Sequence, residues 1–170
     1  MDILLTLKGK GTGSYEKVKD WGAKKHRKKL DIFKLDEIFI PINISNLHWT
    51  LAHIRMEGTL LTYIDSQKSP GKAYTDAILG YLRYAWDEGG MRGEFPKWTT
   101  REHTDHPFQR DTCNCGAFVL AFAELLSRGI ELNDNSFNLE DIKTMRCRMI
   151  LTIMQEHESE KQDQTTNQSK

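Results

Sequence analysis

The stretch Pro107-Phe108-Gln109-Arg110-Asp111-Thr112-Cys113-Asn114-Cys115-Gly116-Ala117-Phe118 sets a thiol at the mouth of an apolar run. Leu120, Ala121, Phe122, Ala123, Leu125 and Leu126 carry that run on to Gly129, a residue suited to the position just past a helix end. The pattern predicts a helix whose first turn holds Cys115. A cysteine there faces unpaired backbone N–H groups and the positive end of the helix dipole, and both favour a thiolate. The same N–H groups can receive an oxyanion, and Gln109, a little upstream, carries a carboxamide that can act as a second donor. The competing reading of Cys115 is a buried structural cysteine on a core helix. A base elsewhere in the chain decides between the two.

That base is sought in the best-defined pair of strands. His48 to Met56 and Thr59 to Asp65 flank Glu57-Gly58, an acid-Gly connection that favours a tight hairpin. If Met56 pairs with Thr59, Asp65 lies opposite Thr50, and His48 becomes its diagonal neighbour on the same face. Diagonal neighbours in an antiparallel pair are roughly 7 to 8 Å apart at the backbone, within reach of an Asp–imidazole hydrogen bond. Each residue alone has an idle surface or core reading. An acid and a base at the open end of one hairpin, with a cysteine at a helix start, instead suit nucleophilic catalysis. Cys115 is then the nucleophile, His48 the base and later the acid, and Asp65 the group that orients the imidazole. Gln109 and the Cys115 N–H hold the oxyanion.

Composition narrows the classes. The chain has 170 residues, 38% of them hydrophobic, which suits one domain with one core. Acidic and basic residues balance at 24 each, so net charge offers no argument for nucleic acid or an anionic membrane as partner, and neither is expected. The apolar runs are too short for a bilayer span, and Met1-Asp2 lacks the basic flank of a signal peptide, so an intracellular protein of nucleus or cytoplasm is expected. Three cysteines argue against a disulfide framework. Cys113-Asn114-Cys115 and Cys147 lack the paired spacing of zinc sites, so neither metal nor cofactor is expected, and Cys113 and Cys147 read as structural.

The remaining segments follow in order. Met1 to Leu7 reads as a strand, Lys8 to Ser14 as a loop, and Tyr15 to Trp21 as a short helix. Lys24-Lys25-His26-Arg27-Lys28-Lys29 is a basic cluster, either solvated surface or a nuclear import signal. Glu37 to Asn43 is rich in β-formers, and Pro41 fits a strand edge or exit. Ser66 to Lys72 is a turn-rich link, Ala73 to Trp86 an amphipathic helix stopped by Gly89-Gly90, and Trp98 to Glu102 a short strand. Asn138 is placed as the N-cap of a last helix, with Asp141 at its third position. Ile142, Met145, Met149, Ile150 and Ile153 give that helix an apolar stripe to about Gln155, its methionines read as core filler. Residues 1–155 form the expected domain, and Glu156 to Lys170 a polar, disordered tail.

Taken together, Val18-Lys19-Asp20-Trp21, Ile38-Phe39-Ile40-Pro41-Ile42-Asn43, Leu47-His48-Trp49-Thr50-Leu51, Tyr63-Ile64-Asp65-Ser66 and Gln109 through Cys115-Gly116-Ala117-Phe118 resemble the SUMO-specific (sentrin-specific) cysteine proteases of the ubiquitin-like protease family. The resemblance runs from about Thr6 to Gln155. It implies an α+β fold of papain-like, circularly rearranged type, with a central mixed sheet flanked by helices. It also implies the triad His48, Asp65 and Cys115, Gln109 in the oxyanion hole, and Trp49 lining the channel for a Gly-Gly tail. Flat aromatic walls admit glycine and exclude larger side chains. The implied partner is SUMO or a SUMO-like modifier and its conjugates, met by a monomer. Family domains carry a further N-terminal segment with a second aromatic wall, and this chain is expected to begin after it. Asn114 stands where the family has Asp before the cysteine. Two alternatives stay open: a binding module without turnover, and a protease for another ubiquitin-like modifier or for a viral or mobile-element polyprotein.

Overall fold

The computed structural model describes residues 31–167, with side chains placed through 155. The strand, loop, helix and basic cluster expected before residue 30 lie outside the described residues. Four strands form one sheet in the order β1 (Glu37–Ile44), β2 (His48–Arg55), β3 (Leu60–Ile64), β4 (Thr99–His103). The first three are antiparallel neighbours, and β4 lies parallel to β3. The sheet is therefore mixed. Parallel pairing requires a crossover, and α1 (Lys72–Glu88) supplies it. Two further helices follow, α2 (Cys115–Ser127) and α3 (Leu139–Asn167), completing the expected α+β arrangement.

Alternation along the strands feeds two cores. Ile38, Ile40, Ile42, Ala52, Ile54, Leu61 and Tyr63 face α1, where Ile78 and Leu82 meet them. Leu51 and Ile64 face the other way, onto Ala117, Phe118, Ala121 and Phe122 of α2 and Ile142 of α3. Burial on both faces is why these strands read as nearly continuous apolar runs. Pro41 sits mid-strand opposite Leu51, and it is tolerated because β1 is the outermost strand among the described residues.

The β2–β3 register has Leu51 opposite Ile64 and Arg55 opposite Leu60, the pairing inferred from Glu57-Gly58. The turn closes through Thr59 N–H to Met56 O at 3.1 Å, with positive φ on Gly58 and Thr59 rather than on Glu57 and Gly58. A second tight turn, unread in the sequence, joins β1 to β2. Ser45 and Asn46 both have positive φ and Leu47 N–H donates to Ile44 O, and this three-residue connection, Ser45 to Leu47, leaves His48 opposite Ile44.

Helix ends behave as their residues dictate. Gly129, at φ 71°, lets its own N–H reach Leu126 O while Ile130 N–H reaches Leu125 O, closing α2 in a Schellman motif. Asn138 Oδ1 accepts from Glu140 and Asp141 N–H, and Asp141 Oδ2 accepts from Asn138 N–H, a reciprocal cap. Two expectations are corrected along α3. Its backbone stays helical to Asn167 instead of giving way to a disordered tail at Glu156. Only the first part of its stripe is core: Ile142 is sealed and Met145 packs on the α2 cluster, but Ile150 and Ile153 are exposed.

Candidate active site

Three contacts link the segments that carry the candidate residues. His48 opens β2 and Asp65 follows the end of β3, and His48 Nε2 meets Asp65 Oδ1 at 2.7 Å. Asp65 is buried, and its Oδ1 also accepts the Gln67 N–H at 2.8 Å. With Nε2 engaged, Nδ1 is the imidazole nitrogen left for a proton from elsewhere.

Cys115 begins α2 and keeps 7% of its surface exposed. It joins the group through packing. Trp49, the residue after His48, lies against Gly116, the residue after Cys115, where an added Cβ would stand 3.8 Å from Trp49 Cδ1. The start of β2 and the start of α2 are thus adjacent.

Gln109 is almost wholly buried and is bonded to Ser66, the residue after Asp65. Its backbone N–H donates to Ser66 O at 2.8 Å, and its Oε1 accepts from Ser66 Oγ at 2.7 Å. That leaves Nε2 as the donor side of the carboxamide, and it donates to Asp111 O at 2.8 Å and Asp111 Oδ1 at 3.1 Å. Ser66 has no role in the reading by motif, although it adjoins Asp65. Its signal is its place in Asp65-Ser66, and its partner is far off in sequence.

Asp111 is a second residue that the sequence reading passes over. Its Oδ1 accepts the N–H groups of Cys113 at 3.0 Å and Asn114 at 2.9 Å, and Oδ2 accepts Asn114 Nδ2 at 2.9 Å. These bonds, the Asn114 side chain first, hold its carboxyl well below the usual carboxylate range. Asn114 Oδ1 in turn accepts from Arg146 Nη1 of α3 at 3.2 Å.

Cys113 and Cys147 are free and exposed, which corrects their reading as structural residues. Both follow polar or charged neighbours at solvent-facing positions, where a thiol has no packing task. Among the described residues no set of His, Cys, Asp and Glu is grouped to hold a metal ion, and no helix is long and apolar enough to cross a membrane. The arrangement contains what thiol-based acyl transfer needs: a thiol at a helix start, an oriented imidazole and an anchored carboxamide.

Residues 7–161 match the model of the Ulp1 protease family, C-terminal catalytic domain. The chain belongs to the Ulp1 protease family. Ubiquitin-like-specific protease 1A of Arabidopsis thaliana is 31% identical over 143 residues, 84% of this chain and 28% of that protein. Ubiquitin-like-specific protease 1 of Saccharomyces cerevisiae is 35% identical over 111 residues, 62% of this chain and 16% of that protein. The chain thus spans a minor part of the length of these Ulp1-family relatives. The solved C-terminal Ulp1 protease domain, in complex with Smt3, the yeast ortholog of SUMO, matches with TM-score 0.60 at 32% identity, covering 79% of this chain and 58% of that one. The Chaetomium thermophilum Ulp1-like SUMO protease catalytic domain shares the fold, with TM-score 0.63 at 20% identity.

Proposed function

We propose that this domain is a cysteine protease that cleaves after the Gly-Gly tail of SUMO or a SUMO-like modifier, freeing it from conjugates or trimming its precursor. The reading rests above all on the 2.7 Å His48–Asp65 bond, with Trp49 beside His48 packed near Gly116 beside Cys115. Membership of the Ulp1 family and the likeness to a domain solved with Smt3 support the substrate class.

The chemistry runs in two halves. His48 Nδ1 takes the Cys115 proton, and the thiolate attacks the carbonyl carbon of the last glycine. The carbonyl π electrons move to oxygen, and the Cys115 N–H and a Gln109 Nε2–H receive that oxyanion. Asp65 fixes the ring through Nε2 and balances the imidazolium that forms. As the intermediate collapses, His48 returns its proton to the departing amine, leaving a thioester. Water then attacks with His48 as base, and the carboxylate and the Cys115 thiol are released. Trp49, laid against Gly116, forms one wall of a slot too flat for any side chain larger than hydrogen. Three cysteines without a disulfide framework fit work in the reducing interior of the cell, in nucleus or cytoplasm.

A SUMO carrying an electrophile after Gly-Gly tests the reading. Folded parent protein should be labelled at Cys115, and Cys115→Ser should not be. Folded parent that binds the modifier but takes no label would make it a binding module instead.

A further inference from the structure

We infer that Asp111 is a positioning residue, which aims the Gln109 carboxamide at the oxyanion and fixes the loop that delivers Cys115. The inference rests on the acyl-transfer reading above and concerns a side chain to which that reading gives no role. Gln109 is gripped at both ends of its amide. Ser66 Oγ holds Oε1, so the carboxamide cannot flip without losing that bond, and Asp111 takes Nε2 through its own O and Oδ1. An amide donor left unheld would swing, and a donor helps a developing charge only if it is already aimed.

The same Oδ1 collects the Cys113 and Asn114 N–H groups, the last two before the nucleophile. One carboxylate oxygen therefore ties the side-chain donor of the oxyanion hole to the backbone that supplies the other donor. Its second oxygen is held by Asn114, whose carbonyl faces Arg146 on α3. Arg146 donates to Asn114, Asn114 donates to Asp111, and Gln109 donates to Asp111 from the other side, so the carboxylate is the acceptor on which both amides converge. The longer contact, Oδ1 to Nε2 at 3.1 Å, is the one the oxyanion shares when it forms, while the 2.8 Å bond to Asp111 O keeps the amide in place.

The test uses the whole chain and a SUMO C-terminal fluorogenic substrate. Asp111→Ala should lower kcat by about tenfold to a hundredfold, short of losing a donor outright, with KM within about twofold. In a Gln109→Ala background the same change should cost clearly less, about twofold to fivefold, the remainder being the loop's share through the Cys113 and Asn114 N–H groups. Asp111→Asn should also slow the enzyme, since its Nδ2 would confront Asn114 Nδ2 donor to donor. Asp111→Asn with Asn114→Asp reverses donor and acceptor across that bond and should recover most of the rate. A rate at or above the parent's in Asp111→Ala would mean that Asp111 competes with the oxyanion, and overturns the inference. So would a full loss that persists in Gln109→Ala. Nitrogen-15 NMR of the Gln109 side-chain NH₂ decides the point without turnover: its resonances should move in Asp111→Ala, and unmoved signals overturn the contact. Parent protein with no turnover but a shifted Gln109 amide would refute the proposed activity and leave the positioning intact.

Discussion

A carboxylate with 2% of its surface exposed, bonded to an imidazole, anchors the mechanism proposed for this domain. Asp65→Asn keeps the shape and removes the charge that balances the imidazolium in the proposed mechanism. It should cost about 10²- to 10⁴-fold in kcat/KM, while the melting midpoint stays within about 5 °C of the parent's. Steady-state kinetics with a melting curve checks both, and equal rates would remove Asp65 from the mechanism. His48 and Asp65 were legible as a pair because strand register is arithmetic: one tight turn fixes every opposing residue. Ser66 was not, because its partner Gln109 lies 43 positions away and no local pattern links a serine to a glutamine. Asp111 was hidden for the opposite reason. Its bonds are local, but a loop of polar residues offers too many ways to make them.

At the level of elements, periodicity and end signals did well wherever the local rule was the only force acting. The Gly129 stop and the Asn138 cap both follow from backbone groups that must find partners. The direction of β4 was not legible. Its residues Thr99-Thr100-Arg101-Glu102-His103 carry a strand signal, but parallel pairing with β3 is set by how α1 packs. The outer part of α3 was misread because an apolar stripe reports helix, not whether a neighbour lies opposite it. Gly71, just before α1, shows a harder constraint. A Cβ there would overlap the Tyr63 ring, and the Gly71 N–H donates to Glu102 Oε1. Gly71→Ala should therefore force Tyr63 off its seat and destabilise the domain by about 1 to 3 kcal/mol. Urea unfolding measures this, and an unchanged midpoint would mean that the Gly71 link shifts freely.

The whole molecule stores a sensitivity to acid in three histidines away from the thiol. Burial pushes His53, His103 and His106 below their ordinary value of 6.5, against a weaker upward pull of Glu37 on His53. His106 is sealed behind the Gln109 loop against Phe122, their ring centres 5.0 Å apart. The folded chain thus resists protons that the unfolded chain accepts near 6.5. Stability should be fully present above that value and decline as pH falls below it. A urea midpoint clearly lower at about pH 5.5 than at about pH 7.5 is expected, and equal midpoints would contradict the burial account. The β3–α1–β4 crossover carries a different consequence. It places the imidazole and its acid early on one hairpin, and the thiol only after the whole excursion through α1 and β4. A chain growing from its N-terminus therefore carries His48 and Asp65 on one hairpin before Cys115 has been added, and the thiol can meet them only once α1 and β4 have been laid down between.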